Sequence, residues 1–270
     1  MTMRSPILNV MVNTALKVSK GLVRDFGEVE QLQVSLKGPA DFVSSADLKA
    51  EEMLRKELGK ARPGYGFLME ESAETKGDGQ HRWIVDPLDG TLNFLHGIPH
   101  FAISVALEKD GEIVAAMVHD PIRHETFTAE KGKGAYVNDR RLRVSARKHM
   151  NEAVIATGIP FKAHADHPRY LGQLATVMAE VAGVRRFGSA ALDLAWLAAG
   201  RYDGFWEIGL SPWDIAAGLL LVREAGGFVS EIGGGHKMIE SGSVLAANAH
   251  LHLPLGELLK RSKPASQPEN

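Results

Sequence analysis

Residues 83–94 read WIVDPLDGTLNF, and the rest of the chain is best interpreted outward from them. Trp83, Ile84 and Val85 form an apolar run of strand character that ends at Asp86. Pro87 fixes its own φ and biases Asp86 towards an extended backbone. Asp89 follows three residues later, Gly90 permits a tight turn, and Thr91 to Leu95 has the character of a first helical turn. Two carboxylates and the Leu88 carbonyl therefore share one curved loop, an oxygen set suited to a hard cation. The Gly90 and Thr91 amides stand at a helix start, where an anion is favoured. A bare D-x-x-D is mostly turn and capping chemistry; D-P-L-D-G-T after an apolar strand is far more specific.

Around this stretch the front of the chain reads as strand-rich and largely antiparallel. Leu8, Met11, Ala15, Val18 and Leu22 make a helical stripe. A second helix is predicted from Ser44 to Leu58, with Ser44 and Asp47 spaced as a capping box. The intervening KGPADFVSSAD (37–47) reads as loop. Short strands are predicted at 66–69 and 82–85, and longer ones at 101–107 and 112–118 flank the hairpin signal Asp110-Gly111. Beyond residue 150 strands and helices alternate, with helices predicted at 166–181, 189–199 and 212–225. The fold class is thus α/β with an α+β front half. We divide it at 1–148 and 149–270, two tightly packed parts of one catalytic unit.

Further acids strengthen the metal reading. Glu70 and Glu71 follow the apolar run 66–69, and Asp214 follows Pro212-Trp213 at the head of an apolar helix. Alone, the first pair is a solvated strand end and Asp214 a favourable helix N-terminal charge. If Glu70, Asp86, Asp89 and Asp214 converge, they raise one another's pKa values, and bound divalent cations relieve the repulsion while serving phosphate-ester hydrolysis.

The chain of 270 residues is 44% hydrophobic and 24% charged, carries a net charge of −2 and has no cysteine. Thiolate catalysis, disulfides and Cys-based zinc sites are excluded, and nothing marks a strongly basic nucleic-acid binder. No apolar stretch is long enough to span a bilayer and the N-terminus lacks a signal-peptide pattern, so a cytoplasmic location is expected. H-E-x-x-H, the P-loop and G-x-S-x-G are all absent. His96 and His100 are four apart, but Pro99 interrupts the helix that would align them, and His164 and His167 fall in a polar loop.

Three long stretches, in order, resemble the inositol monophosphatase family, most closely its bacterial SuhB-type members. They are WIVDPLDGTLNFLHGIPHF (83–101), GSAALDLAWLAAGRYDGFWEIG (188–209) and PWDIAAGLLLVREAGG (212–227), and the likeness runs from about residue 7 to 255. The resemblance implies a layered αβαβα sandwich, a homodimer, up to three Mg2+ ions and lithium inhibition. It makes Glu70, Asp86, the Leu88 carbonyl, Asp89 and Asp214 metal ligands, with Glu71 a second acid beside them. DFVSSAD (41–47) resembles the family's D-x-V-T-x-x-D, so Asp47 polarises Thr91 and the two orient the attacking water. Gly90 and Thr91 hold phosphate; Ala190 and Glu207 contact the polyol, next to Asp89 and Asp214; Lys37 lies on a loop near the metals. Leu92 stands where many relatives have threonine, and Ser44 where threonine is usual.

The implied activity is Mg-dependent hydrolysis of myo-inositol 1-phosphate by in-line attack of water, without a phosphoenzyme. Fructose 1,6-bisphosphate, 3′-phosphoadenosine 5′-phosphate, NADP and histidinol phosphate are competing substrates. The compact chain, with no long insertion between the main motifs, leans towards a small monophosphate. The SuhB-type resemblance also implies a different class of reading, a partner of the transcription machinery. Arg140, Arg141, Arg143, Arg147, Lys148, Arg185 and Arg186 are the basic residues it would use, although solvated strand edges and, for the last pair, a dimer interface explain them more simply.

Overall fold

The computed structural model describes residues 4–29, 34–38, 41–160 and 166–264. The chain opens with α1 (Pro6–Phe26), whose cap Ser5 accepts from the Leu8 amide and whose Pro6 occupies the first turn. The expected stripe from Leu8 to Leu22 is buried. A two-stranded ribbon follows, β1 (Val34–Gly38) antiparallel to β2 (Asp41–Ser44). The expectation of a loop over 37–47 is corrected by the structure: residues 37–38 and 41–44 pair as strand, and the helix begins at Ser45. α2 (Ser45–Ala61) starts at the predicted capping box: the Ser44 amide donates to Asp47 Oδ2 at 2.9 Å and the Ser44 hydroxyl accepts from the Ala46 and Asp47 amides.

Seven strands then form one sheet in sequence order: β3 (Gly66–Met69), β4 (His81–Asp89), β5 (Ala102–Lys109), β6 (Glu112–Asp120), β7 (Glu125–Glu130), β8 (Gly134–Val137) and β9 (Arg140–Arg141). β3 runs parallel to β4 and every later pair is antiparallel. A short α3 (Thr91–Leu95) lies between β4 and β5. Asp110 and Gly111 both take positive φ, 51° and 80°, as a two-residue hairpin turn requires. Alternation separates the sheet's faces. Trp83, Val85, Ile103, Val105, Leu107 and Met117 face α1 and α2, while Ile84, Ala102, Ala106, Ala116 and Val118 join the opposite core.

The second half supplies β10 (Val154–Thr157), α4 (His167–Met178), β11 (Gly183–Arg185), α5 (Ala190–Ala198), β12 (Gly204–Glu207), α6 (Pro212–Glu224), β13 (Phe228–Ser230), α7 (Met238–Ser241), β14 (Val244–Ala247) and α8 (His252–Arg261). The sheet order is β11-β10-β12-β14-β13; β10 is parallel to both its neighbours, and β14 is antiparallel to both of its own. α6, buried from Ile215 to Val222, packs with α5 between the two sheets. α4 and α8 cover the far side through Tyr170, Val177, Leu255 and Leu259. The layers are α1/α2, seven strands, α5/α6, five strands and α4/α8, the expected αβαβα sandwich.

Candidate metal centre

In a regular strand residues three apart point to opposite faces, which would divide Asp86 from Asp89. The structure resolves this with a bulge. Asp86 pairs with Ser104 but Asp89 with Ala102, so β4 carries one residue more than β5 across this interval. Pro87 sits in the bulge, where its missing N–H breaks no ladder bond. The turn tightens at Gly90 (φ 97°), where a Cβ would meet the His100 carbonyl at 3.0 Å and the Gly188 carbonyl at 3.3 Å.

The shared direction brings Asp86 and Asp89 to Asp214, 125 residues further along the chain. One carboxylate oxygen from each lies within 4.8 Å of the others. Asp214 is in the first turn of α6, where its Oδ2 accepts from the Ser211 amide at 2.7 Å. It is therefore both a helix cap and a member of the cluster. The Leu88 amide donates to Asp86 Oδ1 (2.9 Å), and the Ser189 hydroxyl (2.5 Å) and Ala191 amide (2.8 Å) donate to Asp89 Oδ2. Ala190, with 7% of its surface exposed, thus starts α5 against Asp89.

Burial holds the Asp86 carboxyl well above its usual range, and the charges of Glu70, Asp89 and Asp214 add to it. Asp89 is pushed up to about 6, mainly by burial and against its hydrogen bonds to Ser189 and Ala191. Asp214 is raised well above the usual range by burial and then by Asp89, with Glu70 and Glu207 contributing. Glu70, just past β3, therefore shares the cluster's field. An oxygen-only set of mutually repelling carboxylates fits a hard divalent cation such as Mg2+.

Beside the cluster, the Thr91 hydroxyl lies 3.0 Å from both Asp47 Oδ1 and the Leu88 carbonyl. Asp47 is fully buried at its capping position, and its carboxyl is raised by burial against the hydrogen bonds from Ser44 and Thr91. Glu207 ends β12, half-buried; Gly158 leaves room for it, since a Cβ there would stand 1.8 Å from its carboxylate. Burial, then the charges of Asp193 and Asp89, raise Glu207 well above the usual range, with Arg186 opposing. The Glu71 amide donates to Glu51 Oε2 of α2 at 2.9 Å. Lys37 lies on β1, its side chain outside the described part of the structure.

Among the described residues the acidic cluster includes no histidine. His96 caps α3 and His100 is buried against Phe187, its pKa pushed down to about 4 by burial. His167 begins α4, and His164 lies outside the described residues. Sequence reasoning passed over three contributors. Ser189 is visible within GSAA, and the buried Asp193 lies four residues after it. Asn93, in DGTLN, donates to the His100 and Phe187 carbonyls at 2.8 and 2.9 Å, tying α3 to the turn before α5.

Two sheets sandwiched among three helical layers, with a hard-oxygen centre and a carboxylate-held hydroxyl beside it, define a metal-dependent phosphatase. Residues 3–263 match the inositol monophosphatase family, and the chain belongs to that family. It is 62% identical to the inositol-1-monophosphatase of Rhizobium meliloti strain 1021 over 97% of this chain and 99% of the relative. It is 43% identical to the Nus factor SuhB of Escherichia coli K12, over 95% and 99% respectively. The crystal structure of the extragenic suppressor protein SuhB from Bartonella henselae superposes with a TM-score of 0.93 at 59% identity, covering 95% of this chain and 99% of that one. Among the described residues no helix is long and apolar enough to cross a membrane.

Proposed function

We propose that the protein hydrolyses myo-inositol 1-phosphate to inositol and phosphate in the cytoplasm, as a homodimer using up to three Mg2+ ions. The observation that carries this reading is the convergence of Asp86, Asp89 and Asp214, within a chain closely similar to inositol-1-monophosphatases. Glu70, Asp86, the Leu88 carbonyl, Asp89 and Asp214 would hold the ions, with Glu71 and Lys37 at the rim. Magnesium held by these residues would neutralise the ester's charge, acidify water and stabilise the leaving oxygen.

The chain's own groups orient the reaction. When the Thr91 hydroxyl donates to Asp47, its lone pairs are left to accept from a water and aim it at phosphorus. The Gly90 and Thr91 amides face the phosphate oxygens, and Ala190 and Glu207 meet the polyol. Water adds to phosphorus as the ester bond breaks, and the proton that the water gives up ends on the alcohol. Because the ligands come from both 1–148 and 149–270, neither half is a catalytic unit alone.

A substrate panel tests the assignment. The highest kcat/KM is expected for myo-inositol 1-phosphate, ahead of fructose 1,6-bisphosphate, 3′-phosphoadenosine 5′-phosphate, NADP and histidinol phosphate; preference for any of these would replace the proposed substrate. Glu207→Gln is expected to change the ranking among inositol phosphate, glycerol 2-phosphate and sugar phosphates while leaving magnesium affinity close to wild type. Loss of magnesium binding in that variant would instead make Glu207 part of the metal centre.

A second reading, partnership with the transcription machinery, is favoured by the Escherichia coli relative named a Nus factor. Arg140, Arg141, Arg185 and Arg186 are exposed and available for it. A catalytically dead variant that still binds transcription components would separate the two roles.

A further inference from the structure

α2 buries two carboxylates on one face. Asp47 and Glu51 are four residues apart, so they stand one above the other on the helix, and they are 0% and 4% exposed. Sequence reading gives Asp47 a role and Glu51 none. Yet the position of Glu51 belongs to the buried side that Ala46, Ala50, Leu54 and Leu58 also occupy. A carboxylate there costs free energy unless it is hydrogen-bonded. Among the described residues its partner is a backbone amide and not a cation: the Glu71 N–H donates to Glu51 Oε2 at 2.9 Å.

That bond falls at an informative place. Glu71 directly follows Glu70 in the loop after β3, and β3 runs parallel beside β4, so their exits are neighbours. From β4's exit, Thr91 donates to Asp47 Oδ1. One turn of one helix therefore grips both margins of the centre.

We propose that Glu51 is a positioning residue that pins the Glu70–Glu71 loop to α2, so that the helix orienting Thr91 also sets where the Glu70 carboxylate stands. This rests on the reading of Glu70 as a metal ligand. The bond requires an acceptor and not a charge, which separates the expected behaviour of two variants. Glu51→Ala removes the acceptor that holds the Glu71 amide, while Arg55 of α2 still donates to the Ser72 hydroxyl. Glu51→Gln keeps an amide oxygen at the same reach.

Titration of the metal-free protein with Mg2+ alone, by calorimetry, is the direct measurement, paired with NMR hydrogen exchange of the Glu71 amide. Glu51→Ala is expected to weaken magnesium binding by about tenfold or more, the usual effect of losing a group that orients a ligand. Its Glu71 amide should exchange faster, and KM at saturating magnesium should be unchanged. Glu51→Gln should bind magnesium like wild type with Glu71 still protected. If Glu51→Ala does not fold, Glu51→Asp, one methylene short of the amide, carries the same expected loss. Wild-type magnesium affinity in the shortened variants would overturn the proposal, as would a Gln variant as weak as Ala. Wild-type protein that bound no magnesium would overturn the metal reading itself, and this inference with it.

Discussion

Asp214→Asn is expected to fold like the wild type and to lose about a hundredfold or more in turnover, even at high magnesium. The two roles of Asp214 make the experiment decisive. As a cap it accepts from the Ser211 amide at 2.7 Å, and the Asn side-chain oxygen can accept the same bond, so the capping loss stays below about 1 kcal/mol. As a member of the acidic cluster it contributes a charge that a neutral amide cannot replace. In chelator the charge works against folding, because Asp89 and Glu70 already hold Asp214 well above its usual range after burial has raised it. The melting temperature of Asp214→Asn in chelator should therefore match or exceed that of wild type while activity collapses. Near-normal turnover in a well-folded variant would reduce Asp214 to a cap and require the centre to be redrawn without it.

Exhaustive chelation is expected to abolish hydrolysis, and readdition of magnesium to restore it; full activity without a divalent cation would sink the mechanism. The stability of the two forms should differ in a pH-dependent way. Unfolded carboxylates titrate near pH 4. In the metal-free fold Asp89 is pushed to about 6, and Asp86 and Asp214 are raised well above their ordinary values. The metal-free native state therefore binds more protons than the unfolded chain from about pH 4 upwards, and its stability falls as pH rises through that window. Magnesium replaces those protons, so the melting-temperature gain on adding it should be small near pH 4 and grow towards pH 8. At a hundredfold excess over Kd the gain corresponds to about 2.7 kcal/mol. His100 and His119, both pushed down to about 4 by burial, act in the opposite sense. They lose stability as pH falls from about 6.5 towards 4, equally in both forms, and drop out of the difference. A magnesium increment independent of pH would show that the raised carboxylates are not where the ion binds.

Much of this centre is legible in the sequence, because its parts follow local rules. The Ser44–Asp47 capping box, the Asp110-Gly111 hairpin and the α1 stripe depend on neighbours within one or two turns, and the structure reproduces them. The three motifs likewise place acids at strand ends and helix starts, where backbone chemistry brings them to bear. Where local signals were weak or contradictory, sequence reading fell short. β1 and β2 are short and mutually paired, and their stretch carries Gly38-Pro39, a turn signal. The stretch that forms α8, HLPLGELLKR, carries the contradictory signals of Pro254 and Gly256. Pro254 falls in the first turn, where no helical bond is lost, and Gly256 lies close to Leu245 of β14, which a Cβ would meet at 3.1 Å. The tertiary structure alone decided convergence. The bulge in β4 turns Asp86 and Asp89 to one side, α6 carries Asp214 to them from beyond the second sheet's central strand, and α2 brings Glu51 to the Glu71 amide. A sequence fixes which carboxylates exist and which local turn each occupies; whether their charges meet depends on how layers far apart in the chain pack together.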